Sequence, residues 1–189
     1  RSFHVTGVQT CALPIWVALE NLDEEQKERY TATLSLKGNK PYLFGSDIYA
    51  NESAGEDYDI PGEALADPDF AALIAEAEKY LGFPYVWGGS SPSTSFDCSG
   101  FVCYVYTHSG VHNLPRTTAQ GIYNQCAHIP MSEAKPGDII FFTGTYNSPG
   151  PVSHVGIYVG NNMMIHCGSP IQYARTDSSY WSQHFYAIG

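Results

Sequence analysis

The chain predicts an α+β fold in which helices pack on an antiparallel sheet. Three observations lead there. Segments with helical spacing of apolar residues lie between Asp67 and about Cys126, and strand-like runs rich in β-branched residues lie after Pro136-Gly137. That order, helices first and then a meander of short strands, is the pattern of a segregated α+β domain rather than of alternating βα units. The hydrophobic fraction of 43% and aromatic fraction of 14% supply a packed core.

Asp67-Pro68 opens the first helix, with Asp as N-cap and Pro at the first helical position. Phe70, Leu73, Ile74, Ala77 and Leu81 follow helical spacing, and Gly82 ends it. Phe83 to Phe96 is rich in Gly, Ser and Pro and has no helical period, so it reads as a loop. A second helix is expected over 98–109, closed by Gly110, and a third from near Thr117 to about Cys126. Strands are expected at 138–143, 153–159, 163–167, 171–174 and 184–188, with a helical turn near Ser179-Tyr180-Trp181 before the last.

Upstream of this unit the sequence is different in kind. Residues 1–15 resemble the conceptual translation of a DNA-sequencing adapter and are set aside as an artefact, so the chain is expected to be cut on that side. Residues 16–62 read as an acidic leader or linker, with a short helix near Leu22–Tyr30, a turn at Lys37–Pro41 and a linker over Ser46–Gly62. Residues 16–69 carry 13 acidic and 4 basic residues, whereas 70–189 carry 6 and 4. Neither part has the basic surface that nucleic-acid binding needs. No run is long and apolar enough to span a bilayer. The folded unit is expected at 63–189.

The chemistry concentrates at Asp97-Cys98-Ser99-Gly100, where the loop becomes a helix. A thiol there faces the positive end of the helix dipole and unpaired backbone N–H groups, a setting that favours thiolate. His154 and His166, in strand-like segments, are placed to supply a base and the group that orients it. For that they must share one face of the sheet. A two-residue loop, Asn161-Asn162, would pair 157 with 166 and put them on opposite faces; a three-residue loop, Gly160 to Asn162, pairs 159 with 163 and 156 with 166 and brings them together. Cys103, Cys126 and Cys167 lie in apolar contexts expected of buried structural thiols, with a Cys103–Cys126 disulfide left open. His108, His112, His128 and His184 read as surface or structural. No fourth ligand is spaced to complete a metal site with Cys98, His154 and His166, and no cofactor is expected.

These blocks resemble the NlpC/P60 family, papain-like peptidases that cleave peptidoglycan stem peptides. The resemblance spans about 69–189 and rests on Tyr80-Leu81-Gly82-x-Pro84-Tyr85-x-Trp87-Gly88-Gly89, Phe96-Asp97-Cys98-Ser99-Gly100-Phe101-Val102, Leu114-Pro115-Arg116-Thr117-Thr118, Pro136 to Phe142, His154-Val155-Gly156-Ile157-Tyr158-Val159-Gly160 and Met164-Ile165-His166. It implies Cys98 as nucleophile, His154 as base and His166 as third polar residue. It implies Tyr85, with its hydroxyl toward the cysteine, and Asp97, Ser99 and Arg116 as substrate-binding residues near the first residues of the stem, Arg116 binding a carboxylate or helping Asp97 meet a free L-alanine amine. It further implies an extracellular or cell-wall location. Leader and domain together resemble wall hydrolases carried by conjugative elements of Gram-positive bacteria. The expected activity is a DL-endopeptidase; amidase or transferase chemistry on the same scaffold, or a silent wall-binding module, are the alternatives.

Overall fold

The computed structural model describes residues 58–189, and the adapter-like stretch, the leader helix and the Lys37–Pro41 turn lie outside them. The first helix is α1, Pro68–Ala77, continued by a 3-10 turn at Glu78–Tyr80. The Asp67 carboxylate accepts from the amides of Asp69 (2.9 Å) and Phe70 (3.3 Å), a cap worth about 1 kcal/mol. Gly82 follows at φ +81°, the left-handed conformation that stops a helix. A two-residue strand pair, β1 (Ser90–Ser91) and β2 (Ser95–Phe96), stiffens the loop that was read as irregular.

Next come α2 (Cys98–His108) and α3 (Ala119–Tyr123). The latter is shorter than the expected span, because Thr118 rather than Thr117 caps it, accepting from the Gly121 amide, and the chain leaves helical geometry after Tyr123. The rest is β3 (Ile139–Thr143), β4 (Val152–Gly160), β5 (Met163–Cys167), β6 (Ile171–Arg175), α4 (Ser179–His184) and β7 (Phe185–Ile188). The five long strands form one antiparallel sheet in the order β6-β5-β4-β3-β7.

Strands β3 to β6 are buried along nearly their whole length, so both faces of this part of the sheet are covered, polar residues included. Helix α2 packs on β4 and β5 and brings Phe101, Val102 and Val105 to the core, with Phe96, Phe141, Phe142, Ile140 and Ile157. Tyr58 and Ile60, which the sequence placed in a linker, pack against this core. The ring of Tyr58 lies 5.4 Å from that of Tyr173, so residues ahead of 63 pack on the sheet. The four cysteines of the described residues are free, which answers the open Cys103–Cys126 pairing.

The β4–β5 hairpin meets the parity requirement by another route than the one expected. Gly156 pairs with His166, Ile157 with Ile165 and Tyr158 with Met164, but then Gly160 pairs with Met163. Val159 is therefore an extra residue, a bulge, and the turn is the two-residue Asn161-Asn162 with φ of +52° and +56°. Asparagine tolerates the left-handed region, which makes the tight turn accessible. The bulge then restores the one-residue offset that the tight turn alone would lose.

Candidate active site

Cys98 is the first residue of α2, and Asp97 is its N-cap. The Asp97 carboxylate takes four donors. Oδ1 accepts from the Gly100 amide at 2.6 Å and from the Ser99 hydroxyl at 3.0 Å. Oδ2 accepts from the Gly88 amide at 3.0 Å and from Arg116 Nη2 at 2.6 Å. Arg116 Nη1 also donates to Ser99 Oγ at 2.8 Å and to the Thr117 carbonyl. Three of the residues assigned to substrate binding thus form one bonded cluster that fixes the start of α2. Gly100 is required here because a side chain would collide with the Gly89 carbonyl oxygen where the loop crosses the helix. The same crossing is held by the Asp97 amide donating to Gly89 O at 3.0 Å.

Cys98 is only 5% exposed, and its burial opposes the thiolate that the helix-end position favours. Burial pushes Cys98 up to about 12, with the Asp97 charge acting in the same sense. The amides of Ser99 and Val155 and the Arg116 guanidinium pull the other way and are outweighed. Partial charges at a helix end act on a thiolate only as strongly as the loss of water allows. The Val155 interaction has a positional meaning: it sets the thiol against β4 at the residue that follows His154.

His154 and His166 are brought together on neighbouring strands. His154 Nε2 lies 3.0 Å from His166 Nδ1, and both side chains are fully buried. Burial, reinforced by His166, holds His154 well below its usual range, and burial lowers His166 to about 3. Both shifts favour the neutral rings. His154 meets His166 through Nε2, so a base role for this ring would fall to Nδ1. That role requires the tautomer in which Nε2–H donates to His166 Nδ1, and the proton of His166 then resides on its Nε2.

Trp181 of α4 completes the enclosure and was not singled out by its sequence position. Its ring stacks on His154 at a centroid distance of 5.1 Å and meets His166 edge-on at 5.1 Å. Tyr85 is buried, and its hydroxyl is held protonated by burial first and then by the proximity of Cys98 and Asp97. Tyr146, on the β3–β4 connection, is pushed up to about 12 by burial and by the charges that Cys98 and Asp97 can carry. Its ring meets Trp87 edge-on at 5.5 Å, and Trp87 is 48% exposed. Nothing near in sequence to Tyr146 or Trp181 signals these positions; both arrive through the topology. His108 and His128 stack on Tyr104 and Tyr123, and His184 binds the Thr143 carbonyl, structural settings as expected.

Cys98 thus heads a helix that packs on β4 and β5, the two strands that carry the buried histidine pair beneath Trp181. Comparison with known proteins agrees with the architecture. The NlpC/P60 family model matches residues 82–189. The bifunctional muramidase/DL-endopeptidase CwlT of Bacillus subtilis strain 168 is 45% identical over 121 residues, which is 64% of this chain and 36% of that protein. The murein DD-endopeptidase MepH of Escherichia coli K12 is 43% identical over 112 residues, 57% of this chain and 40% of that one. The chain thus spans well under half the length of these relatives. A crystal structure of an NLP/P60 protein similar to lipoprotein, from Staphylococcus aureus Mu50, superposes with a TM-score of 0.62 at 42% identity, covering 75% of this chain and 45% of that one. On the family match and the shared fold, the chain belongs to the NlpC/P60 family.

Proposed function

We propose that this chain is a cysteine endopeptidase of peptidoglycan stem peptides, acting outside the cell or in its wall, with residues 58–189 as the catalytic unit. The bond proposed is the γ-linkage of D-glutamate to diaminopimelate or lysine. The observation that carries the reading is that Cys98 opens α2, which packs on β4 and β5, where His154 Nε2 lies 3.0 Å from His166 Nδ1. The names of the relatives support the substrate class, and they differ in the bond, DL for one and DD for the other.

In the free site the thiol and both imidazoles are neutral. His154 Nδ1 takes the thiol proton as Sγ attacks the γ-carbonyl carbon. The developing oxyanion meets the first N–H groups of α2 and the Tyr85 hydroxyl, donors already in place and already desolvated. The imidazolium of His154, braced by His166, then protonates the departing amine, and the C–N bond breaks. Water, deprotonated by His154, attacks the thioester and releases the γ-carboxylate and the thiol.

Digestion of purified peptidoglycan followed by mass spectrometry of the muropeptides tests this. The expected products end in a free D-glutamate γ-carboxyl on one fragment and begin with a free diaminopimelate or lysine amine on the other. Release of whole stems from the sugar would make the protein an amidase. Transferred stems would make it a transferase. Binding to wall without products, equal in wild type and Cys98→Ala, would make it a silent wall-binding module.

A further inference from the structure

Gln172 is a polar residue for which the mechanism above has no use. It sits on β6 between Ile171 and Tyr173 and is 3% exposed. Among the described residues neither its amide oxygen nor its amide nitrogen has a hydrogen-bond partner. A buried amide left so is destabilising, and a chain has no reason to keep it for packing alone. Its position gives the reason. Gln172 pairs directly with His166 across the β5–β6 ladder, and His166 pairs with Gly156 across β4–β5. Directly paired residues share a face, with Cβ atoms roughly 5 Å apart. Gln172 therefore stands on the same face as His166 and His154.

Gly168 adds an independent observation. A Cβ there would lie 2.8 Å from His166 Cε1 and 3.4 Å from Nε2. Its backbone is not in the left-handed region, so the glycine is not explained by conformation. What it does is leave the Cε1–Nε2 edge of the His166 ring unobstructed. That edge carries the proton in the tautomer that makes His154 a base.

We infer that Gln172 is a positioning residue: its Oε1 accepts the Nε2–H of His166 in the working tautomer, extending the relay Cys98–His154–His166 by one member. The inference rests on the proposed catalytic trio. The amide holds the His166 proton on Nε2, leaves Nδ1 as acceptor, and so fixes the His154 proton on Nε2 and its lone pair on Nδ1.

The test uses Gln172→Met and Gln172→Glu in the full chain, with stem-peptide kinetics, thermal melts and ¹⁵N shifts of the histidine rings. Methionine removes an unsatisfied buried amide at nearly equal volume. Its melting temperature should equal or exceed wild type by a few degrees, about 2–4 °C, while kcat falls roughly three- to tenfold at unchanged KM. Its ring shifts should show mixed tautomers of His166. Glutamate places a carboxylate beside the ring and should move the acid limb of kcat/KM to higher pH. If Gln172→Met keeps wild-type kcat and a single tautomer, or loses activity only in step with lost stability, Gln172 is not a positioning residue. Failure of the trio would look different: wild type itself would be inert on stem peptides, whatever the state of the tautomers.

Discussion

Arg116→Ala separates two roles that the sequence left joined. If Arg116 is a substrate ligand, its loss raises KM and leaves the fold alone. The structure assigns most of its bonding elsewhere: Nη2 to Asp97, Nη1 to Ser99 and to the Thr117 carbonyl. The ion pair has one third-exposed end, Arg116 at 37%, and one nearly buried end, Asp97 at 11%. Screened by water at the arginine, it contributes about 0.5–1 kcal/mol. The bond to Ser99 adds about 1 kcal/mol. Removal should therefore lower stability by about 2 kcal/mol and the melting temperature by about 4–8 °C. It should also slacken the first turn of α2, because Asp97 loses one of the four donors that hold it. Displacing the nucleophile lowers kcat about tenfold, since misplacement on the order of 1 Å is felt strongly at a reacting atom. Differential scanning fluorimetry and steady-state kinetics on a stem tetrapeptide read both. Arg116→Lys should keep the charge, lose the fork and fall between. An unchanged melting temperature with a tenfold KM increase and intact kcat would refute the structural role and restore the ligand role.

Three further outcomes follow from burial and packing. In the substrate-free protein iodoacetamide should reach the half-buried Cys126 before Cys98, whose thiol is both enclosed and held protonated; peptide mapping of the alkylated protein checks this, and faster labelling of Cys98 would show a thiolate in the resting site. Both histidines have folded pKa values below the ordinary one of about 6.5, so between that value and about 3 the unfolded chain binds more protons than the native one; stability should fall as pH drops through this window, and His166→Phe should flatten the slope in chemical denaturation. A chain beginning at residue 58 should melt higher than one beginning at 63, because Tyr58 and Ile60 are lost from the core in the second, and equal melts would return these residues to the linker.

Local chemistry was legible in the sequence where it is decided locally. Asp67-Pro68 capped a helix, and Asp97 before Cys98 began another, because cap geometry involves only residues within one turn. The facing of His154 and His166 was legible as a parity condition, but the bulge at Val159 was not, since a valine in a bulge looks like any strand valine. The state of the thiol was misread for a related reason. A helix dipole is visible in sequence, while desolvation is a sum over Tyr85, Tyr146, β4 and the loops, none of them neighbours of Cys98 in the chain. Trp181 and Gln172 escaped notice on the same ground: their meaning comes from what α4 and β6 are packed against.

Burial bears on the order of steps in the proposed mechanism. A thiolate–imidazolium pair in the free protein is opposed by the enclosure of Cys98 and the Asp97 charge, which outweigh the Arg116 guanidinium and the amides of Ser99 and Val155, and by the burial of both rings. In that mechanism, proton transfer from Sγ to His154 belongs to the step of attack, when the charge leaving sulfur is received at once by an oxyanion facing fixed donors. The same enclosure keeps an exposed thiolate from oxidants in the resting protein, since it is the thiolate that climbs the oxidation ladder. On the proposed mechanism, strong burial and a reactive cysteine are compatible because the two conditions hold at different moments: neutral in the free site, charged only while a substrate carbonyl shares the charge.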